Sequence, residues 1–583
     1  MKKEVGLLIL CMVTISSVVF YSCTEEGTSR NELADLAKAA FVSLDSKVDK
    51  GTAVTFQYDT EPSTEPLAPL FDNLGDHHYP VSTNNDLAQA YFDQGLKLAY
   101  AFNHAEAHRS FTEAARLDPG LAMAHWGQAY ALGPNINDPF PDDQRKTNAY
   151  HAIQQAIALI DKANEKEQAL ILALAERTSP ELQSDLHTLN MAYMQAMREV
   201  AESYPEDPDL LTLFAESVMN TMPWNYWDNE GNPNPGTLEA KEALETAIKL
   251  NPRHPGAHHF YIHMVELPQP ELAVSSAEVL GGLMPAAGHL VHMPSHIFIR
   301  VGRYEDAAKA NIAAIAADED YISQCYSQGM YPLGYFPHNI HFLWSAASFL
   351  GNSETAIEAA RKTAEKVPVG MLNTLAFLQD YYSTPLLAYL RFGRWNDILT
   401  IPDPSPYKHN LVVWHYARGV AFVRKGNIKE AEEELRALNM LMEDPELESL
   451  VANYTNPTSS IVKVAQRVVA GEIEAATGNY DEAIRLLEEG VEFEDMLVYS
   501  EPAAWHIPVR QTLGAVLLKA GRAADAEQVY REDLDKLKNN GWSLMGLYQS
   551  LKAQNRDEEA QKVKQEFDRA WAQADIDIAS SVL

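Results

Sequence analysis

Cysteine is scarce: three occur in 583 residues, Cys11, Cys23 and Cys325. That excludes a disulfide-built scaffold, and without a cysteine pair there is no zinc ribbon. Basic residues are also few. Forty-six Lys and Arg face 81 Asp and Glu, a formal net charge of −35. Such a field repels phosphate backbones and excludes a nucleic-acid binder. It keeps the chain soluble and favours cations or basic partners. Alternating Val/Ile/Thr-rich stretches are nearly absent, so sheets are not expected. No Gly-x-Ser-x-Gly elbow, phosphate loop or dinucleotide fingerprint occurs. Charge clusters such as Glu432, Glu433 and Glu434 follow helical spacing and read as solvated faces. What is present is an ordinary globular balance, 46% hydrophobic and 22% charged, which excludes wholesale disorder. The length suits several domains or one long repeat array.

The N-terminus reads as an address. Lys2 and Lys3 precede an apolar run over residues 5–20, followed by Tyr21, Ser22 and Cys23. A basic start, a short apolar stretch and a small residue before the cleavage point mark a secretory signal. The run is shorter than the ~20 residues of a spanning helix. Its end resembles the lipobox of bacterial lipoproteins, although Tyr21 departs from the stricter pattern. Residues 1–22 are therefore expected to be a signal peptide, with Cys23 lipidated and the lipid as the only membrane contact. Thr24, Glu25 and Glu26 resemble the acidic signal that sends some Bacteroidota lipoproteins to the cell surface. The expected location is the bacterial outer membrane, facing the periplasm or the exterior. Residues 23–70 read as a tether with one short helix over 31–44.

Beyond Asp86 apolar residues recur at helical spacing, punctuated by Gly, Asn or Pro. A period of 34 is visible. Tyr91, Gly95, Leu98, Ala107, Phe111, Ala114 and Pro119 match the tetratricopeptide (TPR) template in order. Ala526 and Ala560 repeat the period, with Gly514 and Tyr530 in place. Gly302, Gly351, Gly393, Gly426, Gly478 and Gly521 sit where first helices should end in a left-handed turn. The expected fold is an all-α, TPR-type solenoid of antiparallel helix pairs. Its parts are N-terminal repeats over 71–253, a His-rich centre over 254–350 and C-terminal repeats over 351–583. Two segments interrupt the array. Residues 222–236 are too rich in Pro and Asn for a helix and carry Trp224, Tyr226 and Trp227; residues 322–336 fill a gap between repeats. Their aromatics either pad the solenoid or form a lid at a groove mouth.

Nineteen histidines are present, and nine lie between His254 and His341. His259, His263 and Glu266, at i, i+4 and i+7, span about 60° of one helix face. His289, His292 and His296 share a second face, and His338 and His341 a third. With repeats starting at 254, 288 and 337, all three sets fall on first helices of consecutive repeats, aimed at a shared space. Imidazole suits Zn, Cu, Fe and Ni. The cluster has ligands for one transition metal, Zn, Cu or Fe, or for two; bridged metals would need a carboxylate or hydroxide, and Glu266 is available. The alternative is polar groove lining, in which the imidazoles hydrogen-bond each other or a partner peptide. His104 reads as a packing residue and Cys325 as a buried free thiol.

Several segments resemble a group of bacterial secreted TPR proteins with His-rich central repeats. They are residues 90–96 (AYFDQGL), 101–104 (AFNH), 133–137 (GPNIN), 259–263 (HFYIH), 289–296 (HLVHMPSH) and 335–339 (YFPHN), with Glu501, Pro502, Trp505 and Arg510 toward the C-terminus. The resemblance runs from about Leu74 to Arg556. It implies the solenoid and envelope location but no established activity. Some members carry a cysteine pair where this chain has Leu121 and Ala124. A more distant relation is to glycan-binding lipoproteins of Bacteroidota uptake systems, whose typical start this chain lacks.

Three functions remain open at this stage. The first is an envelope scaffold whose concave groove binds a partner protein or peptide and which holds a transition metal in the His cluster. The second is a metal-dependent hydrolase or oxidase, with Glu266 as ligand or base. The third is a glycan- or nutrient-binding surface lipoprotein.

Overall fold

The computed structural model describes residues 66–228, 230–324, 331–452 and 455–583. The expected signal peptide, lipidation site Cys23, helix 31–44, most of the tether, and Cys325 lie outside them. Among the described residues there are helices and isolated bridges but no strands. The fold is an all-α TPR-type solenoid.

Helices alternate as antiparallel pairs, for example Asp86–Tyr100 with His104–Leu117, and Thr458–Ala476 with Tyr480–Asp495. The expected turn glycines behave alike: Gly302, Gly351, Gly393, Gly426, Gly478 and Gly521 all have φ between 65° and 85°. Only glycine adopts that region without a steric penalty. The template residues explain the packing. Phe111 lies between Gly95 and Gly127, where an added Cβ would sit 2.7 and 2.3 Å from its ring. Tyr530 sits in the same way between Gly514 and Gly546, at 2.4 and 2.1 Å. Glycine on both flanking helices is what lets a large ring fill the interhelical gap.

The array closes on its own middle. Trp542 Nε1 donates to the Ser348 carbonyl at 3.0 Å, and Lys538 pairs with Glu271. The Asp575 carboxylate accepts the backbone N–H groups of Ser353 and Glu354 at 2.7 and 2.8 Å, capping helix Ser353–Glu365 from 221 residues away or more. From the other end, Ala286 N–H donates to the Asn73 carbonyl at 3.0 Å. The last residues assigned to the tether are docked: Tyr91 Oη donates to the Ala68 carbonyl at 2.9 Å and Gln94 Nε2 to Pro69 at 2.8 Å. Both arms thus press on the His-rich repeats.

The two interruptions differ. The described residues of 222–236 hold no helix, and Trp227 Nε1 donates to the Met264 carbonyl at 2.7 Å. The other insertion is partly helical. Helix Tyr304–Gln324 runs into it because Tyr321 has a buried place to go, its ring 5.7 Å from that of Phe71. A π-turn over Tyr331–Tyr335 then leads into helix Phe336–Phe349.

Candidate metal centre

Three helical segments carry the histidines. Helix Pro255–Val265 starts with Pro at its first position and is capped by His254, whose Nδ1 accepts the Ala257 N–H at 3.0 Å. His259 and His263 follow one turn apart. The second segment is split by Pro294 into Gly288–His292 and Pro294–Arg300, with His289, His292 and His296 on it. The third, Phe336–Phe349, presents His338 from its first turn.

Six of the seven expected histidine ligands gather into two triads. His259, His263 and His289 form one; His292, His296 and His338 form the other. In each, one ligand atom per residue lies within 4.8 Å of the others. His341 is turned elsewhere: its ring stacks on Trp344 at 4.7 Å and meets Tyr381 edge-on at 5.2 Å. Glu266 is buried beside both triads, its Oε2 3.5 Å from His263 Nδ1 and 3.7 Å from His296 Nδ1. His258 is held apart by Ser276 Oγ at 2.9 Å and the Pro252 carbonyl at 3.0 Å. His104 packs against Phe102 and Tyr130.

The hydrogen bonds fix tautomers. His259 Nδ1 donates to the Tyr100 carbonyl at 2.6 Å, leaving its Nε2 lone pair buried with no partner. His292 Nδ1 donates to Asn311 Oδ1 at 2.7 Å; the Asn311 amide is oriented by its own donation to the Ala307 carbonyl at 2.8 Å. His296 Nδ1 donates to Glu501 Oε2 at 2.8 Å. With both Nδ1 atoms protonated, the Nε2 atoms of His292 and His296 face each other at 2.9 Å. Two neutral imidazoles would oppose lone pairs there, so the arrangement calls for a cation between them, a proton or a metal. Metal–nitrogen bonds of about 2.0–2.1 Å at 90–110° place two ligand nitrogens about 2.9–3.4 Å apart. Imidazoles held from behind by a carbonyl, an amide or a carboxylate are the usual support of a metal site. His263 and His289 have no hydrogen-bond partner on either ring nitrogen. The donor set therefore fits a borderline transition metal.

Electrostatics favour the neutral form at five of the six histidines. Burial, then neighbouring imidazoles, hold His259, His263, His289, His292 and His338 well below the usual imidazole range. His296 is the exception. Burial pushes it down, but Glu266 and Glu501 outweigh that and raise it. Burial also raises both carboxyls, Glu266 to about 7.

Aromatic rings close the space. Phe102 lies 4.5 Å from His259, Trp224 meets His263 edge-on at 5.0 Å, and Tyr335 meets His289 at 4.8 Å. Phe102 and Trp224 have φ of 56° and 61°, a left-handed backbone that bulky residues rarely adopt. Such strain persists where surrounding structure enforces it, and it concentrates at functional sites. Trp224 Nε1 donates to the Ile136 carbonyl at 2.9 Å, and Asn137 hydrogen-bonds Tyr335. Residues 101–104, 133–137, 259–263, 289–296 and 335–339, far apart in sequence, thus meet around one centre, with Glu501 at its edge.

Sequence reasoning missed Glu501, Asn311 and the Tyr100 carbonyl as supports. It also missed a third cluster, His77, Asp209 and His254. There His254 Nδ1 accepts from Ala257, so its Nε2 carries the proton and points at Asp209 Oδ1, 3.2 Å away. The same oxygen accepts from His77 Nε2 at 3.0 Å and Tyr100 Oη at 2.8 Å. Burial alone would raise Asp209, but His254 and His77 hold it below the carboxylate range. One carboxylate oxygen thus gathers His77, Tyr100 and His254. It fixes Tyr100, whose carbonyl orients His259.

No family model matches the chain, and no curated protein matches it. Solved structures that align include a human IFIT1 dimer with m7Gppp-AAAA, at 12% identity over 94% of this chain and 95% of that one, TM-score 0.27. Yeast Tom70 aligns at 13% identity over 83% and 91%, TM-score 0.27. The P58(IPK) TPR domain aligns at 14% over 81% and 99%, TM-score 0.21. Likeness at these scores says nothing about this chain's function.

Proposed function

We propose that the chain is an envelope-anchored TPR lipoprotein that holds a transition metal in its central histidine cluster and offers its helical array to a partner protein. The observation that carries the metal reading is the pair of Nε2 atoms of His292 and His296, facing at 2.9 Å while both Nδ1 atoms are committed to acceptors. The lipobox-like end of the signal at Cys23 and the resemblance to bacterial secreted TPR proteins support the envelope location. The net charge of −35 favours a basic partner.

A second reading, a metal-dependent hydrolase or oxidase, has one observation in its favour. Three imidazoles per ion leave coordination positions open, and Glu266 is buried alongside. A bound ion would supply Lewis acidity or redox capacity. The chain's own groups orient the imidazoles and, through Phe102, Trp224 and Tyr335, exclude bulk water.

The test is the metal content of the full chain, purified without a polyhistidine tag and measured by inductively coupled plasma mass spectrometry. Stoichiometric Zn, Cu or Fe is expected, and loss of it in the double variant His263→Ala, His292→Ala. Wild-type protein that stays empty after incubation with all three refutes the reading.

A further inference from the structure

We propose that the two histidine triads form one dinuclear centre, holding two like transition-metal ions with a hydroxide bridging them. The inference rests on the metal reading above and adds the number of ions and the ligand they share.

At two points the triads approach each other as closely as their own members do. Within them, ring centroids lie between 4.8 and 6.2 Å apart. Between them, His263 lies 6.0 Å from His296, and His289 lies 6.0 Å from His292. These cross-triad rings are in each other's van der Waals reach, with no layer of other side chains to insulate two separate sites.

Their support is also shared. Glu266 Oε2 has no hydrogen-bond partner within normal distance, and it stands 3.5 Å from an imidazole nitrogen of one triad and 3.7 Å from one of the other. One carboxylate oxygen thus stands beside His263 of one triad and His296 of the other. Glu501 Oε2 adds a second carboxylate at His296, 2.8 Å away.

Charge points the same way. Imidazoles bound to metal contribute none, so two divalent ions would bring four positive charges into a buried space. The two carboxyls beside His296, Glu266 and Glu501, can offset at most two of them. A further anion at the centre lowers the remainder, and metal-bound water is its simplest source, since coordination brings its pKa to about 7. One proton leaves to solvent and the hydroxide stays. Three protein ligands leave each ion an open position for it, and in two-metal sites ions about 3.5–4 Å apart hold a common oxygen.

The experiment uses the metal-free full chain titrated with Cu(II), desalted, and examined by metal analysis and electron paramagnetic resonance spin counting. Two copper ions per chain are expected, with a spin count far below two because the bridge couples them. His259→Ala in one triad and His338→Ala in the other should each retain one copper and recover about one full spin. If His338→Ala fails to fold by circular dichroism, His338→Gln takes its place, and the wild-type spin count decides in any case. No metal retained in this titration or in parallel ones with Zn(II) and Fe(II) overturns the metal reading itself. One copper leaves that reading standing and overturns the dinuclear centre, as do two coppers with two full spins.

Discussion

Asn311 lies behind the centre and touches it only through His292, so replacing it separates orientation of a ligand from loss of a ligand. The side chain is fully buried. Its Oδ1 accepts the His292 Nδ1 proton at 2.7 Å and its Nδ2 donates to Ala307 at 2.8 Å. Asn311→Leu keeps the volume and removes both bonds. His292 Nδ1 is left with Ser295 Oγ at 3.2 Å, a hydroxyl whose proton already goes to the His292 carbonyl at 2.6 Å. A buried donor stripped of its acceptor costs about 1–3 kcal/mol, partly recovered through Ser295. The imidazole is also free to change tautomer, which withdraws the Nε2 lone pair from its partner His296. Loss of a supporting group of this kind lowers metal affinity about 10–100-fold, or about 1.4–2.7 kcal/mol. The assay is Zn(II) competition against a chromophoric chelator, with urea unfolding of the metal-free protein alongside. Asn311→Asp, which keeps an acceptor at the same place, should bind Zn(II) no more weakly than wild type. Zn(II) affinity unchanged within twofold in Asn311→Leu would refute the argument that the His292 tautomer is set from behind.

Gly127→Ala puts a Cβ 2.3 Å from the Phe111 ring and should cost about 1–3 kcal/mol in urea unfolding. Phe111→Leu in the same chain should relieve part of that, so the double variant loses less than the sum. Glu216 is buried, and desolvation pushes its carboxyl up to about 7 against the pull of Arg177 and Asn220. Above about pH 4.5 the unfolded chain releases that proton while the folded chain keeps it, so stability falls as pH rises toward 7. Glu216→Gln should flatten this slope in thermal melts between pH 5 and 8; an identical slope refutes the assignment. Chelation of metal should lower the melting temperature of wild type and leave the His263→Ala, His292→Ala variant unmoved, since an ion at a thousandfold over its Kd adds about 4 kcal/mol.

Much of this fold is written locally. The Gly95 and Phe111 pair and the glycines that end first helices are short-range signals, because a helix pair is a short-range object. The histidines were legible for the same reason: i, i+3 and i+4 spacing puts His259 with His263, and His292 with His296, whatever the rest of the chain does. Register resolved less. His258 shares a repeat position with His292 and His341, yet it turns to Ser276 and Pro252. His341, one turn from His338, faces Trp344. What lay beyond local spacing was the closure of the array. Glu501 reaches His296 across 205 residues, and His77 reaches Asp209 across 132. No periodicity encodes such contacts; they follow from how far the solenoid curls. The strained backbones of Phe102 and Trp224 were equally silent, since neither residue type advertises a left-handed turn.

The central claim is that imidazoles from both triads bind metal. X-ray absorption at the edge of whatever metal the full chain carries as purified tests it most directly. The account predicts a first shell of about three nitrogens per ion near 2.0–2.1 Å, with the outer-shell scattering of imidazole rings and no sulfur near 2.3 Å. A sulfur shell, an oxygen-only shell without imidazole scattering, or the same spectrum in the His263→Ala, His292→Ala variant would contradict it.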